Sequence, residues 1–144
     1  MIDFLTTRFL TLDTSGVIAL LNRKDPDHAP ARAALLEDPG PWLVPVGILA
    51  EVAYLVETNL CLEVLEAWLY DLETGVYTLE CGEQDLPRTR ELIRRYADLP
   101  LGFADAAVIA CAERHRGRVL TLDLRDFGVV AREGRITLAP APGA

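Results

Sequence analysis

The chain has 144 residues, of which 51% are hydrophobic and 25% charged, and it carries a formal net charge of -8. That length suits one domain with a real core, the composition argues against disorder, and the charge argues against a general, salt-sensitive grip on phosphate backbones. No apolar run reaches the ~18 residues needed to cross a membrane, and the opening residues 1–8 lack a basic region followed by an apolar core, so a cytoplasmic location is expected.

The first predicted element is the run Phe9-Leu10-Thr11-Leu12, an apolar, β-prone stretch that ends on Asp13. Thr14, Ser15 and Gly16 follow, and a helix is expected over 14–22 until Lys24-Asp25-Pro26-Asp27 breaks it. A second helix spans 28–37 and closes at Asp38-Pro39-Gly40-Pro41. Residues 42–45 form a short strand bounded by prolines. The helix expected over 47–57 is apolar nearly all round and is therefore expected to be buried. The helix over 61–73 is amphipathic. Its Trp68 and Tyr70 suit either a protein interface or plain core packing.

A strand over 75–79 precedes a charged helix over 83–96, which carries Arg88, Arg90, Arg94 and Arg95. A helix rich in small residues covers 103–115, and the strand 119–123 again finishes on an acid, Asp123. A last short strand, 136–138, leads into an Ala/Pro/Gly tail, 139–144, expected to be flexible. Strands alternating with helices, with no tight hairpin, imply a three-layer α/β/α sandwich around a parallel sheet of about five strands, one domain over 1–138.

The acids are placed unusually. Glu51 is the only charge between Leu43 and Val56, and Asp105 is the only charge between Asp98 and Glu113. An ionised carboxylate in such surroundings costs several kcal/mol unless it is paired, protonated or bound to a cation. Asp123 repeats the Leu-Thr-Leu-Asp pattern of Asp13, and Asp126 follows as a weaker instance. Each acid alone has an ordinary explanation as a helix cap, a turn former or a surface residue.

Taken together, carboxylates converging at ~5 Å would repel by roughly 3 kcal/mol per pair at an effective dielectric near 20, so such a cluster would hold protons or a cation. An all-oxygen donor set selects Mg²⁺ or Mn²⁺ over Zn²⁺. The remaining chemistry is sparse. Cys61, Cys81 and Cys111 form no CxxC pair and are expected to be buried free thiols, and His28 and His115 are isolated.

Four short segments in this order resemble the PIN-domain ribonucleases, and among them the small toxins of the VapC type. These are Leu12-Asp13-Thr14-Ser15, Leu49-Ala50-Glu51-Val52, Phe103-Ala104-Asp105-Ala106, and Leu120-Thr121-Leu122-Asp123 with Arg125-Asp126-Phe127 after it. The resemblance covers residues 9 to 130. It implies an α/β/α fold and a negatively charged pocket in which Asp13, Glu51, Asp105 and Asp123 hold Mg²⁺ or Mn²⁺ and carry the catalysis. Ser15, Thr121 and Asp126 would support that pocket.

It further implies an RNA substrate, a homodimer and a small antitoxin partner, while Arg90, Arg94 and Arg114 are the expected contacts to the RNA backbone. Two features depart from the family: some eight residues precede the first strand, and Leu101-Gly102-Phe103 stands where the toxins often have a more polar approach to the third acid. A receiver domain would need a late-strand lysine, whereas Lys24 is the sole lysine. A haloacid-dehalogenase-type phosphatase would need Asp-x-Asp where this chain has Asp13-Thr14-Ser15. The remaining alternatives are a PIN-like binding module and a housekeeping RNA-processing nuclease.

Overall fold

The computed structural model describes residues 9–141. Short runs of three or four residues rich in leucine, valine and threonine become five strands: β1 (Leu10–Leu12), β2 (Trp42–Pro45), β3 (Thr78–Glu80), β4 (Arg118–Leu120) and β5 (Thr137–Ala139). They pair in the order β3-β2-β1-β4-β5, and every pairing is parallel.

Parallel neighbours require helical crossovers. These are α1 (Thr14–Leu21) and α2 (His28–Glu37), then α3 (Leu49–Asn59) and α4 (Leu62–Thr74), then α5 (Leu86–Arg95) and α6 (Phe103–Arg114), and α7 (Leu124–Arg132). Right-handed crossovers put α1–α4 on one face of the sheet and α5–α7 on the other. The packing of α1 on α2 and α3, of α3 on α4, and of α5 on α6 agrees with this layering. The expected sandwich is therefore observed.

The chain leaves β1 toward β2 on one side and returns to β4 on the other, so β1 and β4 flank the switch point of the sheet. A crevice opens there beyond the strands' carboxyl ends. One glycine makes the crevice tight. A Cβ on Gly16 would stand 2.5 Å from the Leu120 carbonyl oxygen, so only glycine lets the first turn of α1 lie against the end of β4. The Asp13 amide donates to that same oxygen at 3.2 Å.

Several expectations are corrected. The helix expected to be buried over 47–57 begins as a 3-10 turn, Val46–Ile48, and continues as α3. Only the stripe Ile48, Val52, Val56 is buried, while Glu51 is exposed and Tyr54 is 64% exposed. The reason is that α3 packs through one face against α1 and α4, and residues off that i, i+4 stripe meet solvent. The strand expected to run to Asp123 stops at Leu120. Asp123 instead caps α7, a helix with no counterpart among the elements read from sequence.

Ala139 is not part of a flexible tail. It is buried and pairs with Leu120, its carbonyl accepting from the Thr121 amide, because β5 completes the ladder. Residues 142–144 and the extension 1–8 lie outside the described residues. Cys111 is buried as expected, whereas Cys61 and Cys81 are exposed. All three are free. Trp68 packs in the core, and Tyr70 on the same helix is exposed.

Candidate metal centre

Asp13 leaves the end of β1 and caps α1, so its carboxylate turns back into the crevice. One oxygen accepts from the Gly16 amide at 2.7 Å and the other from the Thr121 hydroxyl at 2.6 Å, while the Ser15 hydroxyl lies 2.9 and 3.0 Å from the two. Both hydroxyls are themselves held. The Leu122 amide donates to Ser15 Oγ at 2.9 Å, and the Asp123 amide donates to Thr121 Oγ1 at 3.0 Å. These contacts bolt the tip of β1 to the chain leaving β4. Burial is the main force acting on the Asp13 carboxyl and lifts its pKa to about 7. The hydrogen bonds from Thr121, Gly16 and Ser15 oppose that rise, and the nearby Asp105 charge adds to it.

Asp105 occupies the first turn of α6, half-buried, in a helix that is otherwise apolar along this stretch. Its pKa is raised to about 6, first by burial and then by the charges of Asp123, Asp126 and Glu51. Asp123 caps α7 through the Asp126 amide at 3.4 Å. The carboxylates of Asp105, Asp123 and Asp126 each bring an oxygen within 4.8 Å of the others. Asp126, expected only in support, thus stands in this cluster with Asp105 and Asp123, whereas Asp13 and Glu51, expected to lead, lie outside that 4.8 Å group.

Asp13 and Glu51 line the same cavity of about 380 Å³, together with Asp105 and Asp123. Asp25 and Asp27, in the loop between α1 and α2, also line it. Sequence reading missed both because they look like ordinary residues of a helix-breaking turn.

The donor set fits a hard divalent cation. Among the described residues no basic side chain pairs with Asp13, Glu51, Asp105 or Asp123, and Asp126 has only Arg125 at 3.2 Å, whose side chain is 80% exposed. Repulsion among Asp13, Glu51, Asp105 and Asp123 is therefore not offset by a basic side chain among the described residues, and oxygen ligands of this kind suit such an ion.

The arginines divide. Arg114, expected to meet RNA, is exposed but already engaged by acids. It forks onto Asp85 at 2.8 and 3.1 Å and reaches Glu80 at 3.0 Å, tying the end of α6 to the segment after β3. Nine residues separate it from Asp105, roughly 13 Å along a helix. Arg90 and Arg94 are exposed and form no ion pair among the described residues.

Comparison with known proteins agrees with this fold. The PIN domain family matches residues 10–133. Ribonuclease VapC26 of Mycobacterium tuberculosis is 32% identical over 135 residues, covering 91% of this chain and 100% of that one. Among solved structures, Mycobacterium tuberculosis VapC20, a Sarcin-Ricin loop cleaving toxin, superposes with a TM-score of 0.72 at 20% identity, covering 84% of this chain and 94% of that one. A toxin-antitoxin complex from Klebsiella pneumoniae gives a TM-score of 0.64 at 23% identity over 82% and 89% of the two chains. With a parallel sheet, an acidic crevice at its switch point and a family match over most of its length, this chain belongs to the PIN domain family.

Proposed function

We propose that this PIN domain is a metal-dependent endoribonuclease, the toxin of a toxin–antitoxin pair, and that residues 9–141 act as one nuclease domain. The observation that carries the reading is the convergence of Asp105, Asp123 and Asp126, with Asp13 and Glu51 in the cavity that Asp105 and Asp123 line and, among the described residues, no basic partner but the exposed Arg125 beside Asp126. Asp13, Glu51, Asp105 and Asp123, with Asp126, would hold Mg²⁺ or Mn²⁺. When bound, the ion supplies a water of lowered pKa and neutralises charge that develops on the scissile phosphate.

The protein's own part is preorganisation. Ser15, Thr121 and the Gly16 amide fix the Asp13 carboxylate in one orientation and favour its ionised form against the cost of burial. The acids also explain the missing histidine, since neither His28 nor His115 lines the cavity. Arg90 and Arg94 would meet the RNA backbone outside the pocket, where single charges add modest, salt-dependent affinity.

The similarity to Ribonuclease VapC26, and to the VapC20 toxin and the Klebsiella pneumoniae toxin-antitoxin complex, supports the ribonuclease and toxin parts of the reading. A small antitoxin and a second copy of the chain are the proposed protein partners, in the cytoplasm. Exposed Tyr54, Leu62, Leu69 and Tyr70 on α3 and α4 give apolar surface for them.

The deciding experiment incubates single-stranded RNA with the protein and Mn²⁺. Cutting that EDTA stops and that Asp105→Asn abolishes is expected. Equal cutting by wild type and Asp105→Asn would overturn the assignment, and RNA binding without any cutting would favour a binding module.

A further inference from the structure

A second cavity, of about 320 Å³, runs along α6 from Phe103 past Ala107 to Cys111, with Val46, Gly47 and Leu86 on its other walls. Phe103 is 50% exposed, Leu86 51% and Val46 40%, so three large apolar side chains face water around one groove. Gly47 keeps the ring accessible. A Cβ there would lie 3.1 Å from the Ala107 Cβ and 3.7 Å from the Phe103 ring, narrowing the groove at its aromatic end. The approach to Phe103 is pinned, since Leu101 is buried and its amide donates to the Tyr96 carbonyl at 3.1 Å.

We infer that this groove seats one unpaired nucleobase of the RNA substrate, stacked on the Phe103 ring, next to the phosphate that enters the acid pocket. The inference rests on the ribonuclease reading and deepens it. Three features select a base. Among the described residues no lysine or arginine lines the groove, which therefore does not suit a phosphate, whereas its carboxylates can accept from the amino groups of a base. Glu83 is exposed and unpaired for that role, while Arg114 engages Glu80 and Asp85.

Both cavities also meet the first turn of α6, the groove through Phe103 and the acid pocket through Asp105, two residues and roughly 3 Å of helix rise apart. Finally, Leu86, Arg90 and Arg94 recur at i, i+4 spacing on α5, so the stripe that begins at the groove wall continues into unpaired cations suited to flanking phosphates. Bases of single-stranded RNA are held in this way on exposed aromatic rings.

The test measures binding of a fluorescein-labelled, mixed-sequence RNA oligonucleotide to the full chain in Ca²⁺, beside an abasic oligonucleotide with the same ribose-phosphate backbone. Phe103→Ala is expected to weaken binding of the base-bearing RNA by roughly 5- to 150-fold, the range for one stacked base. Phe103→Trp should bind as wild type does, and the abasic strand should bind wild type and Phe103→Ala alike.

Unchanged binding of the base-bearing RNA by Phe103→Ala overturns the inference, and so does an equal loss on the abasic strand. A changed sedimentation coefficient for Phe103→Ala also overturns it, since the groove would then be a contact between protein chains. If wild type still cuts RNA in Mn²⁺, these failures leave the ribonuclease reading standing. If wild type neither binds nor cuts, both readings fall.

Discussion

Asp13 enters the acid cavity carrying hydrogen bonds from two hydroxyls and an amide, and those hydroxyls are anchored by backbone amides of the neighbouring segment. Asp105 enters from the opposite layer with no hydrogen bond to its carboxylate among the described residues, and Asp123, Asp126 and Glu51 press on it electrostatically. Both carboxyls titrate far above the ordinary aspartate value, at about 7 and about 6, yet the protein invests in orienting only one of them. One side of the site is a fixed seat built into the sheet. The other is an uncompensated charge that a bound cation would complete. A functional centre of this kind opposes stability, because its groups are arranged for a partner and not for one another.

The sharpest way to break this contrast is Asp105→Asn. RNA cleavage is expected to fall by more than about 100-fold, beyond the loss typical of removing a mere supporting contact. The metal-free protein, by contrast, should gain stability at pH 8. A relief of about 1 kcal/mol would raise the melting midpoint by roughly 2–4 °C in a scanning measurement. A lower midpoint would mean that Asp105 is held by interactions the contrast denies.

Next in size is Thr121→Val, which keeps the shape and removes the donor to Asp13. Manganese affinity, read by titration calorimetry, should drop by about 10- to 100-fold, with a stability loss of about 1 kcal/mol. The Asp13 carboxyl should move further up, since Thr121 is the strongest of the hydrogen bonds that hold it down. Unaltered affinity would show that the hydroxyl bolt is dispensable.

The pH dependence follows from the same two groups. Each has a folded-state pKa raised above the unfolded value of 3.8, so the folded form binds its proton more tightly. That stabilisation is complete below the unfolded value and is lost as pH rises through about 6 and then about 7. Metal binding needs the ionised carboxylates and has the opposite slope. Mn²⁺ should therefore raise the melting midpoint more at pH 8 than at pH 5.5, and cleavage should climb across the same interval. An equal shift at both values would detach the cation from these acids.

Glu51→Gln gives the smallest effect on the fold. Its exposed side chain should change stability by no more than about 0.5 kcal/mol, while cleavage falls less than in Asp105→Asn. A large stability change would place Glu51 in the packed layer that α3 was expected to form.

The chain's own letters were sufficient for much of this. A lone acid in an apolar run is a local signal, and Asp13, Glu51, Asp105 and Asp123 all meet one cavity as expected. Strand and helix alternation likewise led to the parallel sheet, because a period of two or of 3.6 residues is written within each segment.

What stayed hidden depends on neighbours distant in sequence. Asp126 reads as a supporting acid, but the helix α7 that carries it is not legible, because Gly128 and the β-branched Val129 and Val130 obscure the helical pattern. Arg114 reads as a free cation until Asp85 folds onto it, and α3 reads as buried until its partners cover only one face. The Thr121 hydroxyl and the Asp13 carboxylate that it holds are 108 residues apart. The elements and the acids they carry are written in the chain, since both follow from local pattern and local charge. Which acids converge and which are held emerges on folding, because it depends on the order of strands across the sheet and on the close approach that Gly16 permits between α1 and β4.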